Sequence, residues 1–386
     1  MHIERDHENI NALSVRDNAW WIRKRDQLMQ LADEHLNAYV YDLETIVNQV
    51  IALQSLGAVD RILYAVKANF NADVIRILDG AGVDFDCVSP GEVARLREVL
   101  NSDCTGRILF TPNFAPRDEY EWGLREGLRV TLDNLYPLRH WPELFADQEI
   151  FVRMDPDYGG GHHQHVITAG AASKFGVSID EVGELERLVK AAGARVIGIH
   201  AHSGSGILEP GNWRSVAAVL AEVAGRFPDV RSLDLGGGIG VPDTRDAPEF
   251  DLKALDELLS SVKLDYPQYS LWLEPGRYLV SQAGILLTHV TQTKEKGSHR
   301  YVGVSTGLNS LIRPALYDSY HEVANLTRLG DAETEAVTVV GPICESGGRF
   351  GTNRLLPRCQ ENDVIAVSYT HLRAHETSDD ISYAVF

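Results

Sequence analysis

A lysine directly after strand-forming residues opens the chemistry of this chain, in "YAVKAN" at residues 64 to 69. Burying a free ammonium is costly, so Lys67 must be paired, deprotonated or covalently used. Other residues with chemical potential fall at or just after the ends of β-rich runs: Ser89, Asn113, His200 with His202, Gly236 to Gly238, and Glu274 with Arg277. "LDLGGGIG" (233 to 240) offers the amides of Gly236, Gly237 and Gly238 free of Cβ obstruction, as a phosphate cradle requires. A glycine run there is as often a plain tight turn. "EPGR" (274 to 277) sets a carboxylate and a guanidinium about one turn apart at the next strand end, where Arg277 could reach the same phosphate. Its ordinary alternative is a surface ion pair, of little energetic value.

Eight β-rich runs position these residues: "RILYAVK" (61 to 67), "VDFDCV" (83 to 88), "RILFT" (107 to 111), "LRVTL" (128 to 132), "EIFVRM" (149 to 154), "RVIGIHA" (195 to 201), "RSLDL" (231 to 235) and "SLWLE" (270 to 274). Between them apolar residues recur at helical spacing, as in Val216, Val219, Leu220 and Val223, or Leu252, Leu255, Leu258 and Leu259. Alternation of this kind predicts an α/β fold with a (βα)8 TIM-like barrel, an open doubly wound sheet being the alternative. Active sites of such barrels form at the C-terminal strand ends, where the unusual residues collect. A lysine, a phosphate cradle, a carboxylate and a histidine at one barrel mouth match the needs of pyridoxal 5'-phosphate. The lysine makes the Schiff base, glycine amides and arginine hold the phosphate, and the carboxylate keeps the ring nitrogen protonated.

Bulk properties narrow the remaining classes. The 386 residues, 44% of them hydrophobic, suffice for one large domain plus a second. A net charge of -19 argues against nucleic-acid binding, which needs a positive footprint. No apolar run approaches a membrane span, and "MHIERDHENINA" lacks the apolar core of a secretory signal, so a cytoplasmic protein without membrane contact is expected. Cys87, Cys104, Cys344 and Cys359 form no CxxC pair and fit a reducing compartment, mostly as buried thiols. Beyond residue 285, "AGILLTHVTQTKEKG", "RYVGV", "AVTVVGPIC" and "NDVIAV" read as strands without long helices between them, a second β-rich domain.

The ordered set "YAVKAN", "HAHSGSG" (200 to 206), "LGGGIG", "EPGRYLV", "LIRPALYDSYH" (311 to 321) and "GPICESG" (341 to 347) resembles the fold-type III, alanine racemase-like pyridoxal phosphate decarboxylases, and among them the diaminopimelate decarboxylases. The resemblance spans roughly residues 38 to 367. "GGGHHQHV", "SKFG" (173 to 176) and "AWWIRKRDQL" look most like the decarboxylase part of bifunctional aspartate kinase/diaminopimelate decarboxylases, although no kinase part is present. The resemblance implies Lys67 as the Schiff-base lysine and His202 as the ring stacked on the cofactor. It implies Ser205 and Gly236 to Gly238 along the phosphate, Glu274 opposite the pyridine nitrogen, and Arg277 near phosphate and substrate. Arg313 and Tyr317 would bind substrate, and Cys344 and Glu345 would reach across a homodimer interface into the partner's site, Cys344 or Lys67 supplying the final proton. The implied reaction is decarboxylation of meso-2,6-diaminopimelate to L-lysine and CO2, the last step of lysine biosynthesis. Arg277 and Arg313 suit the distal carboxylate and Glu345 the distal ammonium, whereas a plain diamine product would need no such arginine. The alternatives are a decarboxylase of another basic amino acid or carboxynorspermidine, and a catalytically silent cofactor-binding homologue.

The remaining features read plainly. His162, His163 and His165 point in different directions and lack a completing ligand spacing, so they are read as a loop and no metal is expected. His200 is read as a packing histidine, or one that supports a site residue from behind, rather than a catalytic one. The expected division is an N-terminal segment 1–42 leading into the barrel and packing on the β domain, a barrel 43–284, a β domain 285–367, and a tail 368–386. "SYTHLRAHETSDDISYAVF" replaces the family's Ala-Gly-Ala-Tyr motif, leaves no match for its phosphate-contacting tyrosine, and resembles translated adapter sequence. It is read as non-native, which would leave the β domain incomplete and a sheet edge exposed.

Overall fold

The computed structural model describes residues 19–156, 173–242 and 247–368 together with the strand Ser382–Val385. Eight parallel strands close on themselves: Arg61–Ala65, Asp84–Cys87, Ile108–Phe110, Arg129–Leu132, Glu149–Asp155, Arg195–His200, Ser232–Asp234 and Ser270–Leu273. Each pairs with the next, and Trp272 and Leu273 of the last pair with Arg61 and Ile62 of the first. All eight β-rich runs are therefore barrel strands, and closure rules out the open sheet. One boundary differs: the first strand ends at Ala65, and Lys67 stands in the short 3-10 turn Val66–Ala68. Helices such as Gly211–Ala224 and Leu252–Asp265 coat the outside, burying Val216, Leu220 and Val223, and Leu255 and Leu259.

Strand alternation sorts the barrel interior into layers. Leu63, Leu109, Phe151, Ile197 and Trp272 form an apolar cluster separate from the main core, with Phe151 and Trp272 5.2 Å apart. Two residues further along the same strands stand Thr111, Arg153 and Glu274, all buried. An apolar floor thus underlies a polar mouth. Ile197 is an extra residue in its strand, between the pairs Ile150–Val196 and Phe151–Gly198, and the Phe151 ring lies over the missing side chain of Gly198.

The second domain is a β-rich sheet organised on the long strand Gly284–Lys296, which pairs antiparallel with Asn37–Tyr41, His299–Val304 and Val364–Ser368. Asn37–Tyr41 comes from ahead of the barrel and was not anticipated as a strand. Ser382–Val385 runs parallel to it. Trp20, Trp21, Leu28 and Ala32, on the helices Trp20–Arg23 and Arg25–Glu34, pack with Ile285, Leu287, Val364 and Ala366 of that sheet. Among the described residues no helix is long and apolar enough to cross a membrane.

Candidate active site

Lys67 emerges at the mouth because the chain turns sharply after its strand, leaving the side chain about half exposed and its Nζ 2.9 Å from Asp86 Oδ2. Burial lowers the basicity of this amine, but the carboxylates of Asp86 and Glu274 outweigh it and raise the ammonium above its ordinary value. Asp86 is itself buried and accepts a hydrogen bond from the Thr111 hydroxyl. Ser89 caps the next helix, Pro90–Leu100, by accepting from the Glu92 amide, and Glu92 Oε2 accepts from the Val88 amide. Burial and nearby Asp86 push the Glu92 carboxyl up to about 7.

Glu274 lies just beyond the last barrel strand, buried, with His200 Nε2 3.1 Å from its Oε2 and no partner for Oε1 among the described residues. Burial alone would raise its pKa, but His200 and Lys67 hold it at about 2. His202 takes its neutral form, lowered to about 3 by burial and by the positive charges of Arg153 and Lys67. The Gly237 amide donates to its Nδ1 at 3.2 Å, which leaves the ring proton on Nε2.

The three cradle glycines are not equivalent. The Gly236 amide donates to Asp234 Oδ1 at 2.9 Å and the Gly237 amide to His202, whereas the Gly238 amide has no acceptor among the described residues. The first two amides hold the turn's own shape. Gly236 and Gly238 need φ of +68° and +99°, and a Cβ on Gly237 would stand 2.2 Å from the Glu274 carbonyl oxygen. Beside this turn Arg277 Nε donates to Ser205 Oγ at 3.3 Å.

Arg153 was missed by sequence reading. Its guanidinium is buried, donates to Asn113 Oδ1 at 3.1 Å, stands 3.5 Å from Asp133 Oδ1, and stacks 4.5 Å from the centre of the Phe175 ring. Asp133 also accepts the Gly176 amide, so this cluster anchors the "SKFG" segment to the mouth. Only its place at a strand end, in "FVRMD", could have singled Arg153 out.

Arg313 and Tyr317 bound the short helix Arg313–Tyr317, and the charges of Arg313, Arg354 and Arg277 all act on His321. Buried His321 donates Nδ1–H to the Ser368 carbonyl at 2.8 Å, while its Nε2 has no partner among the described residues. Cys344 and Glu345 occupy an exposed turn between Thr334–Val340 and Arg349–Pro357. Among the described residues no hydrogen bond or ion pair ties either to the Lys67 group. All four cysteines are free, and Cys87, Cys104 and Cys359 are buried. His162, His163 and His165 lie outside the described residues.

These residues fit pyridoxal phosphate. The mouth holds an accessible lysine, a low-pKa carboxylate with an orphaned oxygen, a neutral imidazole, and a glycine turn beside an arginine. The pattern of known proteins agrees. A family model described as the pyridoxal-dependent decarboxylase, pyridoxal binding domain, matches residues 43–281. Diaminopimelate decarboxylase of Methanothermobacter thermautotrophicus is 39% identical over 323 residues, 80% of this chain and 74% of that protein. That of Archaeoglobus fulgidus is 36% identical over 323 residues, 79% and 75% of the two chains. A crystal structure of diaminopimelate decarboxylase superposes with a TM-score of 0.85 at 27% identity, covering 92% of this chain and 88% of that one. The Helicobacter pylori enzyme complexed with L-lysine gives 0.82 at 26% identity, covering 91% and 90%.

Proposed function

We infer the activity from a premise now in hand: the chain belongs to the pyridoxal-dependent decarboxylases, and within them to the diaminopimelate decarboxylases. It is a carbon–carbon lyase that decarboxylates meso-2,6-diaminopimelate to L-lysine and CO2, with pyridoxal phosphate as cofactor. One observation carries the reading on this chain's own residues: Lys67, His202 and Glu274 stand at one barrel mouth, held by Asp86, the Gly237 amide and His200 respectively.

When bound, the cofactor supplies an electrophilic aldehyde and a protonated ring that accepts the electrons of the breaking bond. Lys67 would hold it covalently, and Asp86 Oδ2, 2.9 Å from Nζ, is placed to take the proton the amine must lose. Glu274, ionised and with no partner for Oε1 among the described residues, would accept a hydrogen bond from the protonated ring nitrogen. Neutral His202 would present a flat face to the ring, its orientation fixed by the Gly237 amide. The Gly238 amide, Ser205 and Arg277 would hold the phosphate, with Gly236 and Gly237 shaping the turn. Arg277 and Arg313 would bind the distal carboxylate bidentately, Tyr317 would line the same end, and Glu345 would pair with the distal ammonium.

The exposed turn carrying Cys344 and Glu345 supports a homodimer in which each copy completes the other's site, with Cys344 or Lys67 delivering the final proton. A cytoplasmic place is consistent with the free cysteines. The finer likeness to the bifunctional kinase–decarboxylases rests on "AWWIRKRDQL", "GGGHHQHV" and "SKFG" alone.

The test loads the purified chain with pyridoxal phosphate and supplies meso-diaminopimelate. The expected result is stoichiometric CO2 and L-lysine, with loss of the bound-cofactor absorbance band in Lys67→Ala. A chain that binds cofactor, leaves diaminopimelate untouched and turns over another basic amino acid would overturn the substrate assignment.

A further inference from the structure

Two buried carboxyl groups meet beneath the cofactor mouth, and the catalytic reading uses only one of them. Asp234 ends the strand Ser232–Asp234 and is fully buried; its Oδ1 accepts the Gly236 amide at 2.9 Å, and its Oδ2 has no partner among the described residues. Glu274 repeats the pattern beside it, with Oε2 bonded to His200 and Oε1 orphaned. One ligating atom from each of His200, Asp234 and Glu274 lies within 4.8 Å of the others.

We propose that Asp234 and Glu274 hold one proton between them, carried by Asp234, and that neutral Asp234 is the positioning residue joining the carboxylate of Glu274 to the glycine turn 236–238. This rests on the reading of Glu274 as the partner of the cofactor's ring nitrogen. Two carboxylates this close, out of water, cannot both ionise without a large penalty. A single proton satisfies both orphaned oxygens at once: Asp234 Oδ2–H donates to Glu274 Oε1, which keeps a second lone pair that would accept from the ring nitrogen. The proton belongs on Asp234 because burial and the charge of Glu274 push it well above the carboxylate range, while His200 and Lys67 hold Glu274 down.

The consequence reaches both ends of the cofactor. Asp234 fixes the Gly236 amide at φ +68°; the Gly236 carbonyl in turn accepts the Glu274 amide at 2.9 Å, and the next amide, Gly237, orients His202. One buried acid therefore sets the spacing between the phosphate turn, the stacking imidazole and the ring-nitrogen carboxylate.

The full chain, with and without pyridoxal phosphate, is compared by infrared spectroscopy as wild type, Asp234→Asn and Asp86→Asn. At pH 9, where Glu92 with its carboxyl at about 7 is ionised, a carbonyl-stretch band of a neutral buried carboxylic acid is expected in wild type and in Asp86→Asn, and absent from Asp234→Asn. Asparagine reproduces both the acceptor toward Gly236 and the donor toward Glu274, so Asp234→Asn should bind the cofactor within about threefold of wild type. Asp234→Ala, which loses both, should bind it at least about tenfold more weakly. Persistence of the band in Asp234→Asn, or equal weakening by Asn and Ala, would overturn the proposal. So would a stoichiometric metal ion in the purified protein, which would make His200, Asp234 and Glu274 a cation site. Glu274→Gln separates the two readings: an unchanged absorbance of bound cofactor in that variant defeats the role of Glu274 and leaves the infrared result to stand by itself.

Discussion

Lowering the pH from 7 to 5 drives a proton toward His321, at a place built for a neutral ring. Its Nδ1 already donates to the Ser368 carbonyl, so the incoming proton must go to Nε2, which is buried, without a partner among the described residues, and near three arginines. Burial, with Arg313, Arg354 and Arg277, lowers the folded pKa to about 3, below the 6.5 of a free histidine. A depressed pKa gives stability that is present above 6.5 and is lost as the pH falls toward 3; between pH 7 and 5 the loss is about 2 kcal/mol. Glu92 acts with opposite sign over the same interval. Its carboxyl is raised to about 7 from 4.5, so its contribution is present below 4.5 and is lost as the pH rises through 7. Moving from pH 7 to 5 therefore returns about 2 kcal/mol. The two single variants should tilt the pH profile in opposite directions. His321→Asn keeps an N–H for the Ser368 carbonyl and removes the titration, so the variant should lose about 2 kcal/mol less than wild type between pH 7 and 5. Glu92→Gln should lose about 2 kcal/mol more. Urea unfolding followed by circular dichroism at pH 7, 6 and 5 measures both. If wild type and His321→Asn change in parallel, the histidine is not held neutral by its surroundings and the reasoning fails.

Three further outcomes are expected from the same urea measurements. Gly198→Ala should cost about 1–3 kcal/mol by forcing the Phe151 ring aside, since the new Cβ would stand 2.1 Å from it. Adding Phe151→Leu should recover part of that loss, and no recovery would refute the collision. Arg153→Met removes the cationic partner of buried Asp133 and should cost about 3–5 kcal/mol. Asp133→Asn in that background should restore stability, and a further loss would show that the pair does not act as described. Asp42→Ala should cost about 1–2 kcal/mol, because Asp42 caps the helix Leu43–Gln54 through the Thr45 amide and pairs with Lys24. A pH-independent loss near zero would count against the cap.

The barrel was legible because its signals are local. Each strand is a short apolar run bounded by turn residues, and each chemically unusual residue of the barrel stood within four residues of a strand end. What escaped was set by partners distant in sequence. Asn37–Tyr41 is buried along its whole length, so it shows no alternation and lies where only a lead-in was expected. Asp86, Asp133, Arg153 and Asp234 look like ordinary strand-end polar residues until folding sets Arg153 beside Asp133, Lys67 beside Asp86 and the Gly236 amide on Asp234. The glycine turn was found by its composition, but its amide directions depend on Asp234 and His202, 2 and 35 residues away in sequence from their amide partners.

The strand Asn37–Tyr41 also places the domains in time. Its partner begins at Gly284, so the whole barrel is an insertion between two neighbouring strands of the second sheet. During synthesis this early strand must wait, unpaired, for the rest of the barrel to be made before its companion appears. Local barrel contacts can form first, and the sheet can be finished only afterwards, by a contact of high sequence separation and correspondingly slow closure. A fragment cut after the eighth barrel strand would carry the waiting strand without its mate, and a fragment beginning at Gly284 would carry the mate alone.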